Sequence, residues 1–85
     1  EPMIDLLRSL RGVRVACMLL QQEGEVRGSF RSKDDTDVAA IAGEFGGGGH
    51  KAAAGFTIHD DLRGAVKTVA RRLGIESPTL PEERL

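Results

Sequence analysis

Aromatic side chains are scarce in this chain of 85 residues, which has three phenylalanines and neither tyrosine nor tryptophan. Surfaces that bind single-stranded nucleic acids without sequence preference usually stack the bases on several aromatic rings. The composition therefore disfavours a stacking platform of that kind.

Cysteine is nearly absent as well: Cys17 is the single one, so no disulfide can form within the chain. Secreted domains this small usually depend on disulfides. We therefore expect a cytoplasmic protein in which Cys17, within an apolar run, is buried and unreactive. The chain has no signal-peptide pattern and no apolar stretch of the roughly 20 residues that a membrane-spanning helix needs, so no membrane partner is expected.

Neither sign of charge dominates, since 12 Lys and Arg residues stand against 13 Asp and Glu residues, for a net charge of −1. This balance disfavours the wrapping of long duplex DNA, which needs a broad basic surface, but it allows a pocket for one or two phosphates. An apolar content of 40% predicts one small globular domain. The chain starts Glu-Pro-Met, and we interpret it as a piece of a longer protein.

The first half of the chain predicts a helix followed by a hairpin of two strands. Residues 13–20 form a short apolar run, and residues 26–31 alternate between two kinds of side chain, as strands do. That alternation places Arg31 on the opposite face from Phe30. Apolar residues at helical spacing predict the helix, which Gly12 would end; they are Met3, Leu6, Leu7 and Leu10.

The second half predicts a helix, a glycine-rich loop, a strand and a helix. Asp37 is a suitable N-cap for the first of these helices, and Gly46 a suitable C-terminal glycine. Residues 56–58 predict a short strand, and Asp60 can cap the last helix, which Gly74 ends. The apolar faces of the two helices are Val38, Ile41, Ala42 and Phe45 in one, and Leu62, Ala65, Val66, Val69 and Leu73 in the other.

This order of elements predicts an α+β fold: a small mixed β-sheet with helices packed on it and a glycine-rich loop between a helix and a strand. We assign residues 1–76 to the domain. Residues 77–85 are mostly polar and include two prolines, so we expect them to form a flexible tail.

Four consecutive glycines, Gly46 to Gly49, precede His50 and Lys51 and are the most informative feature of the chain. A helix end needs a single glycine, so a cap or a tight turn explains only part of the run. The spacing matches neither of the common glycine-rich nucleotide motifs. A third interpretation is a phosphate loop, in which glycine amides and His50 contact an oxyanion. If residues 51–54 formed a helical turn, its N–H groups would point at the same anion.

Several side chains could hold such an anion. His50 can donate a hydrogen bond to a phosphate oxygen and could assist proton transfer. Arg31 can bind a phosphate through two N–H groups, and Ser32 and Lys33 follow it as weaker candidates. Lys51 adds a cation beside His50.

His59, Asp60 and Asp61 have the composition of a metal site, but a metal usually needs three or more converging ligands. The two aspartates are better explained by the start of the last helix, so we assign none of the three to a metal. The chain also shows no set of nucleophile, base and orienting group. The residues therefore predict a domain that binds an anion without reacting with it.

Three segments together resemble the DHH-associated C-terminal domain of DHH-family phosphoesterases. They are Arg31-Ser32-Lys33, the helix from Asp37 to Phe45, and the run Gly-Gly-Gly-Gly-His-Lys-Ala-Ala-Ala-Gly-Phe at residues 46–56. The resemblance covers about residues 13–73. It is strongest to the nanoRNase and oligoribonuclease branch, which includes cyclic-dinucleotide and 3′-phosphoadenosine-phosphate hydrolases.

In that family an N-terminal DHH domain holds two divalent metals, usually manganese, and performs the cleavage. The resemblance implies that this chain holds no cofactor, is inactive alone, and binds a short RNA, DNA or nucleotide substrate for a DHH domain of the same polypeptide. By matching position, Gly47 to Gly49 and His50 would line the cleft, and Arg31, with Ser32, would hold a phosphate. Whether the protein is a homodimer stays open.

Two other functions are consistent with the sequence. One is an RNA-binding appendage like the C-terminal domain of alanyl-tRNA synthetases, with no hydrolase attached. The other is a structural dimerisation domain whose glycine run only turns the chain. The coding sequence upstream of Glu1 would separate the first of these from a phosphoesterase.

Overall fold

The computed structural model describes residues 3–10 and 12–76, which form an α+β domain, so the predicted fold class is confirmed. The expected tail, residues 77–85, lies outside the described residues. None of the helices in the described ranges is long and apolar enough to cross a membrane. The strands are β1 (Met3–Leu10), β2 (Val13–Gln22), β3 (Glu25–Ser32), β4 (Gly48–His50) and β5 (Ala53–Ile58), and the helices are α1 (Val38–Glu44) and α2 (Leu62–Leu73).

The five strands form one sheet in the order β1-β2-β3-β5-β4. All pairs of neighbouring strands in the described chain are antiparallel, so the sheet is not mixed as predicted. Tight turns explain this: Gly12 and Gly24, both with positive φ, let β1, β2 and β3 follow one another as hairpins. Helix α1 then carries the chain past β5 to the sheet edge, where β4 begins.

The helix predicted at the N terminus is wrong, because these residues form strand β1. Ile4 and Leu6 are buried, whereas Met3 and Leu7 are 49% and 69% exposed, so burial alternates with the period of a strand. The apparent helical spacing arises because apolar side chains lie on both faces of β1. All eight residues of β1 pair with β2, and this pairing outweighs a local preference for helix.

Both helices pack on one face of the sheet and enclose a single core with it. The core combines strand residues such as Val15, Leu19 and Phe30 with helix residues such as Val38 and Val66, all with at most 1% exposure. No described element covers the opposite face, which we call the open face. On the last three strands of the sheet, its side chains are those of Glu25, Arg27, Ser29 and Arg31 (β3), Ala53, Gly55 and Thr57 (β5), and Gly48 and His50 (β4).

The three phenylalanines form one cluster inside the core. The ring of Phe56 stacks on Phe30 with centroids 4.7 Å apart and lies 5.2 Å from Phe45. Gly28 lies directly against the Phe56 ring, where a Cβ atom would overlap it. The scarce aromatic residues therefore join β3, β5 and the end of α1, and none of them lies on the open face.

The helix ends follow the predicted signals with one shift. The Asp37 side chain accepts two N–H groups of the first turn of α1, and Gly46 adopts φ 80° just after that helix. Helix α2 ends at Gly74 with φ 75° as predicted. Its N-cap is Asp61, however, and not Asp60, whose carboxylate accepts the Asp61 N–H instead.

Cys17 lies in the core with 1% exposure, as the sequence predicted. Burial raises the pKa of its thiol to about 12, and the nearby charge of Asp5 adds to the effect. The thiol therefore stays protonated and unreactive at neutral pH.

The loop between β3 and α1 is organised by the carboxylate of Asp34. It accepts the N–H groups of Thr36 and Arg14, both at 2.8 Å, and the hydroxyl of Ser32 at 3.0 Å. These hydrogen bonds, those from Thr36 above all, lower the pKa of Asp34 to about 2. Because the folded-state pKa is lowered, ionised Asp34 stabilises the fold at neutral pH, and this contribution is lost as the pH falls through about 4 towards 2.

Replacing Asp34 with alanine should therefore lower the urea midpoint of unfolding at pH 7, and the difference from the parent chain should shrink as the pH falls towards 2. Circular dichroism during urea titrations at several pH values measures it. Asp35→Ala, which removes the neighbouring exposed carboxylate, is the matched control and should change the midpoint less. A difference for Asp34→Ala that stays constant down to pH 2 would contradict the assigned role.

Candidate phosphate-binding face

The strand register brings Arg31 and His50 to the same face of the sheet. Arg31 pairs with Ala53, and Ala53 in turn pairs with His50 on the edge strand β4. Residues paired directly across antiparallel strands share a face, and two strand spacings separate the Cα atoms of Arg31 and His50 by about 10 Å. The two candidates, far apart in sequence, thus lie on either side of one small side chain.

Next to this row, two glycines leave the backbone of the sheet uncovered. Gly48 pairs with Gly55, which in turn pairs with Ser29. A Cβ atom at Gly48 would have no atom within 4 Å, and one at Gly55 would meet only the Gly28 carbonyl oxygen, at an ordinary 3.6 Å. Neither glycine is required by packing, so together they form an open floor that a ligand can approach closely.

The other three glycines of the run, Gly46, Gly47 and Gly49, are required by the dihedral angles or the close contacts of the backbone. Gly46 and Gly49 have φ of 80° and 150°, which other residues rarely adopt. A Cβ atom at Gly47 would overlap the carbonyl oxygen of Gly55 and lie 2.8 Å from the Cα of Phe56. Chain geometry therefore explains three of the four glycines, and Gly48 is the one that it leaves unexplained.

The predicted glycine-rich loop is partly a strand. Residues 48–50 form β4, and Lys51 and Ala52 form the turn into β5, so no helical turn spans residues 51–54. The turn is held from both sides: the Lys51 carbonyl accepts the Val38 N–H at 2.9 Å, and the Ala52 carbonyl accepts the Ser32 N–H at 3.0 Å. These bonds fix His50 relative to β3 and α1.

Most of the glycine amides are engaged within the protein. The Gly47 N–H donates to the Ala42 carbonyl at 2.9 Å. Because the Ala52 carbonyl faces β3, alternation directs the backbone groups of Ala53 and Gly55 towards β4, where they bond those of His50 and Gly48. The Gly49 N–H consequently points outward from the sheet edge. The glycine run therefore presents the N–H of Gly49 alone, and not the consecutive N–H groups that the phosphate-loop interpretation expected.

The remaining candidates from the sequence lie apart from this group. Ser32 pairs with the buried Val15, so it lies on the helix-covered face, and its hydroxyl donates to Asp34. Lys51 is exposed at the turn beyond β4. The structure thus brings Arg31, Gly48 and His50 together and does not place Ser32 with them.

The arginines of the two faces differ in their contacts. On the helix-covered face, Arg8 donates to the last carbonyls of α2, and Arg72 forms two hydrogen bonds with Glu44 at 2.6 and 2.8 Å. On the open face, Arg27 and Arg31 are exposed, and neither guanidinium has a partner within residues 3–10 and 12–76. Two cations there are therefore free to bind an anion.

Arg27 was missed as a candidate from the sequence. The alternation that places Arg31 on the face opposite Phe30 places Arg27 there too, because residues four apart on a strand share a face. Arg27 has no neighbouring phosphate-compatible side chain in the sequence, whereas Arg31 is followed by Ser32 and Lys33.

The described residues offer no group of three or more His, Cys, Asp or Glu side chains able to hold a metal ion. His59 lines a surface pocket that does not include His50, and Asp60 and Asp61 accept N–H groups at the start of α2. This part of the chain does not fit the metal pair of DHH phosphoesterases.

The structure is an α+β domain with one open sheet face, on which Arg27, Arg31 and His50 surround the uncovered backbone of Gly48 and Gly55. The chain belongs to the DHHA1 domain family, whose model matches residues 1–74. This domain is associated with DHH-family phosphoesterases, in agreement with the resemblance of the glycine run and its flanking segments. No solved structure matches the chain.

The two middle glycines should respond differently to substitution. Gly47→Ala should destabilise the fold by about 1–3 kcal/mol, because the new methyl group overlaps backbone that cannot move aside easily. Gly48→Ala should change the free energy of unfolding by less than about 0.5 kcal/mol, because its side chain enters open space. Urea unfolding followed by circular dichroism measures both variants. Equal destabilisation by the two substitutions would show that Gly48 is also structural.

Proposed function

We propose that the open face binds the phosphate of a nucleotide or short oligonucleotide and holds it for the DHH domain of a metal-dependent phosphoesterase. The observation that carries this proposal is the placement of Arg31 and His50 on either side of Ala53, next to the glycine floor of Gly48 and Gly55. Membership of the DHHA1 family supports the association with a phosphoesterase.

The chemistry of the face suits a phosphate. The Arg31 guanidinium can bind two phosphate oxygens at once, and the His50 imidazole can donate to a third. The glycine floor lets a ligand approach the strands more closely than any side chain would permit. An arrangement of donors around an open floor can bind and orient a phosphate.

Cleavage is assigned to the partner domain. The described residues of this chain do not fit a metal pair. The part played by this chain is to bind the substrate, with Arg31 holding a phosphate and His50 orienting it. Since such a face supplies only one side of a cleft, we expect its affinity for a nucleotide to be weak when it acts alone.

Arg31→Ala and His50→Ala should each weaken the binding of 5′-AMP, measured as the dissociation constant in an NMR titration. For Arg31→Ala we expect a loss of about 1.5–3 kcal/mol, roughly 10- to 100-fold, which is typical of a hydrogen bond to a charged group. Both side chains are exposed, so the variants should fold normally. Lys67→Ala is the matched control, because it removes a positive charge from the exposed side of α2.

Unchanged binding in both variants would refute the proposal. So would an equal loss in Lys67→Ala, which would indicate nonspecific attraction. No detectable binding by the parent chain at millimolar nucleotide would favour the structural dimerisation domain, and sedimentation velocity would test for the dimer directly.

A further inference from the structure

A second cationic pocket lies at the edge of the sheet, beyond the end of strand β4. It is a cavity of about 430 Å³ in which Arg27, Thr57 and His59 supply the polar side chains. Phe45, Phe56 and the glycines beside them line the rest of it. It exists because β4 is short: its first residue, Gly48, pairs with Gly55, and no strand of the described chain continues beside Thr57. We call this cavity the Arg27 pocket.

Arg27 supplies a free cation to this pocket. It pairs with Thr57, so it lies on the same face as Arg31 and points away from the helices. The guanidinium is exposed and has no hydrogen-bond or ion-pair partner within the described ranges. It precedes Arg31 on β3 by two positions of the same face, with Ser29 between them.

The backbone of Thr57 supplies a donor. Alternation along β5 directs the N–H groups of Ala53, Gly55 and Thr57 towards β4, because the Ala52 carbonyl faces the other way. No residue of β4 lies beside Thr57, and in the described parts of the chain no loop oxygen accepts the Thr57 N–H. An unpaired edge amide is therefore present in a pocket that already contains an arginine.

His59 completes the set of donors. It follows the last residue of β5 and lines the same cavity. The carboxylates that follow it, Asp60 and Asp61, are occupied by N–H groups at the start of α2. No acidic residue of the described chain lines the pocket, and the carboxylate nearest to Arg27 on its own strand is that of Glu25, two residues before it.

The distance between the two sites determines what can occupy both. Arg27 and Arg31 are four residues apart on β3, which corresponds to about 13 Å. A phosphate held between Arg31 and His50 lies at least that far from the Cα of Arg27, which is farther than an arginine side chain extends. The glycine floor of Gly48 and Gly55 lies between them and leaves a continuous path along β5.

We propose that Arg27, the Thr57 amide and His59 form a second phosphate subsite, which holds another phosphate of a single-stranded oligonucleotide that lies along β5 from His50 to His59. This proposal rests on the proposed function of the open face. The arginines favour that occupant: within the described residues neither Arg27 nor Arg31 has a partner, so each can bind a different phosphate of one strand.

The test compares a ligand that fills one subsite with a ligand that fills both. The parent chain, Arg27→Ala, His59→Ala and the control Lys67→Ala are titrated with 5′-AMP and with a tetraribonucleotide, at several salt concentrations. We expect the tetranucleotide to bind more tightly than 5′-AMP. Arg27→Ala should weaken tetranucleotide binding about 10-fold and leave 5′-AMP binding unchanged, since a mononucleotide can remain at Arg31.

The salt dependence gives a second readout. Losing one phosphate contact should reduce the slope of log K against log salt by about 0.7 for a single strand, in Arg27→Ala but not in Lys67→Ala. His59→Ala should weaken tetranucleotide binding in the same direction. A far-ultraviolet spectrum and an unfolding midpoint like those of the parent would show that the variants are folded.

The outcomes separate the two proposals. If Arg31→Ala weakens both ligands while Arg27→Ala and His59→Ala weaken neither, the second subsite is refuted and the proposed function stands. Equal weakening of 5′-AMP and tetranucleotide by Arg27→Ala would also refute it, since Arg27 would then belong to the first site. If Arg31→Ala and His50→Ala affect neither ligand, the proposed function itself fails.

Discussion

The packing around Phe56 is the constraint on which the rest of the structure depends. Its ring stacks on Phe30 and contacts Phe45, and the chain approaches it so closely that Gly28 and Gly47 have no room for a side chain. Two strands, the end of α1 and the start of the glycine run are therefore fixed around one residue. Because this core fixes the backbones of β3, β4 and β5 relative to one another, it also fixes the Cα positions of the residues on the open face. The arrangement of the open face thus depends on an apolar contact on the opposite side of the sheet.

Glycine serves two purposes in this molecule, and they can be told apart. Gly46, Gly47 and Gly49 allow the chain to leave α1 and return as an edge strand, as their dihedral angles and close contacts show. Gly48, by contrast, has open space around it and opens the floor of the face. The arginines also fall into two groups: Arg8 and Arg72 form hydrogen bonds within the protein, whereas Arg27 and Arg31 have no partner among the described residues. A residue type that recurs in the sequence therefore has a structural role in one place and is available for binding in another.

Much of this arrangement could be predicted from the sequence where the pattern was local. The helices α1 and α2 followed from their apolar faces and caps, and the alternation in β3 placed Arg31 opposite Phe30. Strand β1 could not be predicted, because apolar residues on both of its faces imitate helical spacing and only its pairing with β2 decides the outcome. Strand β4 was missed because glycine has little preference for strands, so the partner strand determines its conformation. The proximity of Arg31 and His50 likewise depends on the register of β5, a long-range property.

The central claim is that a phosphate binds on the open face between Arg31 and His50. The most direct measurement is a crystal structure of the chain with a bound short oligoribonucleotide. The account predicts a phosphate within about 3 Å of a donor on each of these side chains, above the glycine floor, with no ligand on the helix-covered side. A phosphate bound between the helices, or one that contacts neither Arg31 nor His50, would contradict it.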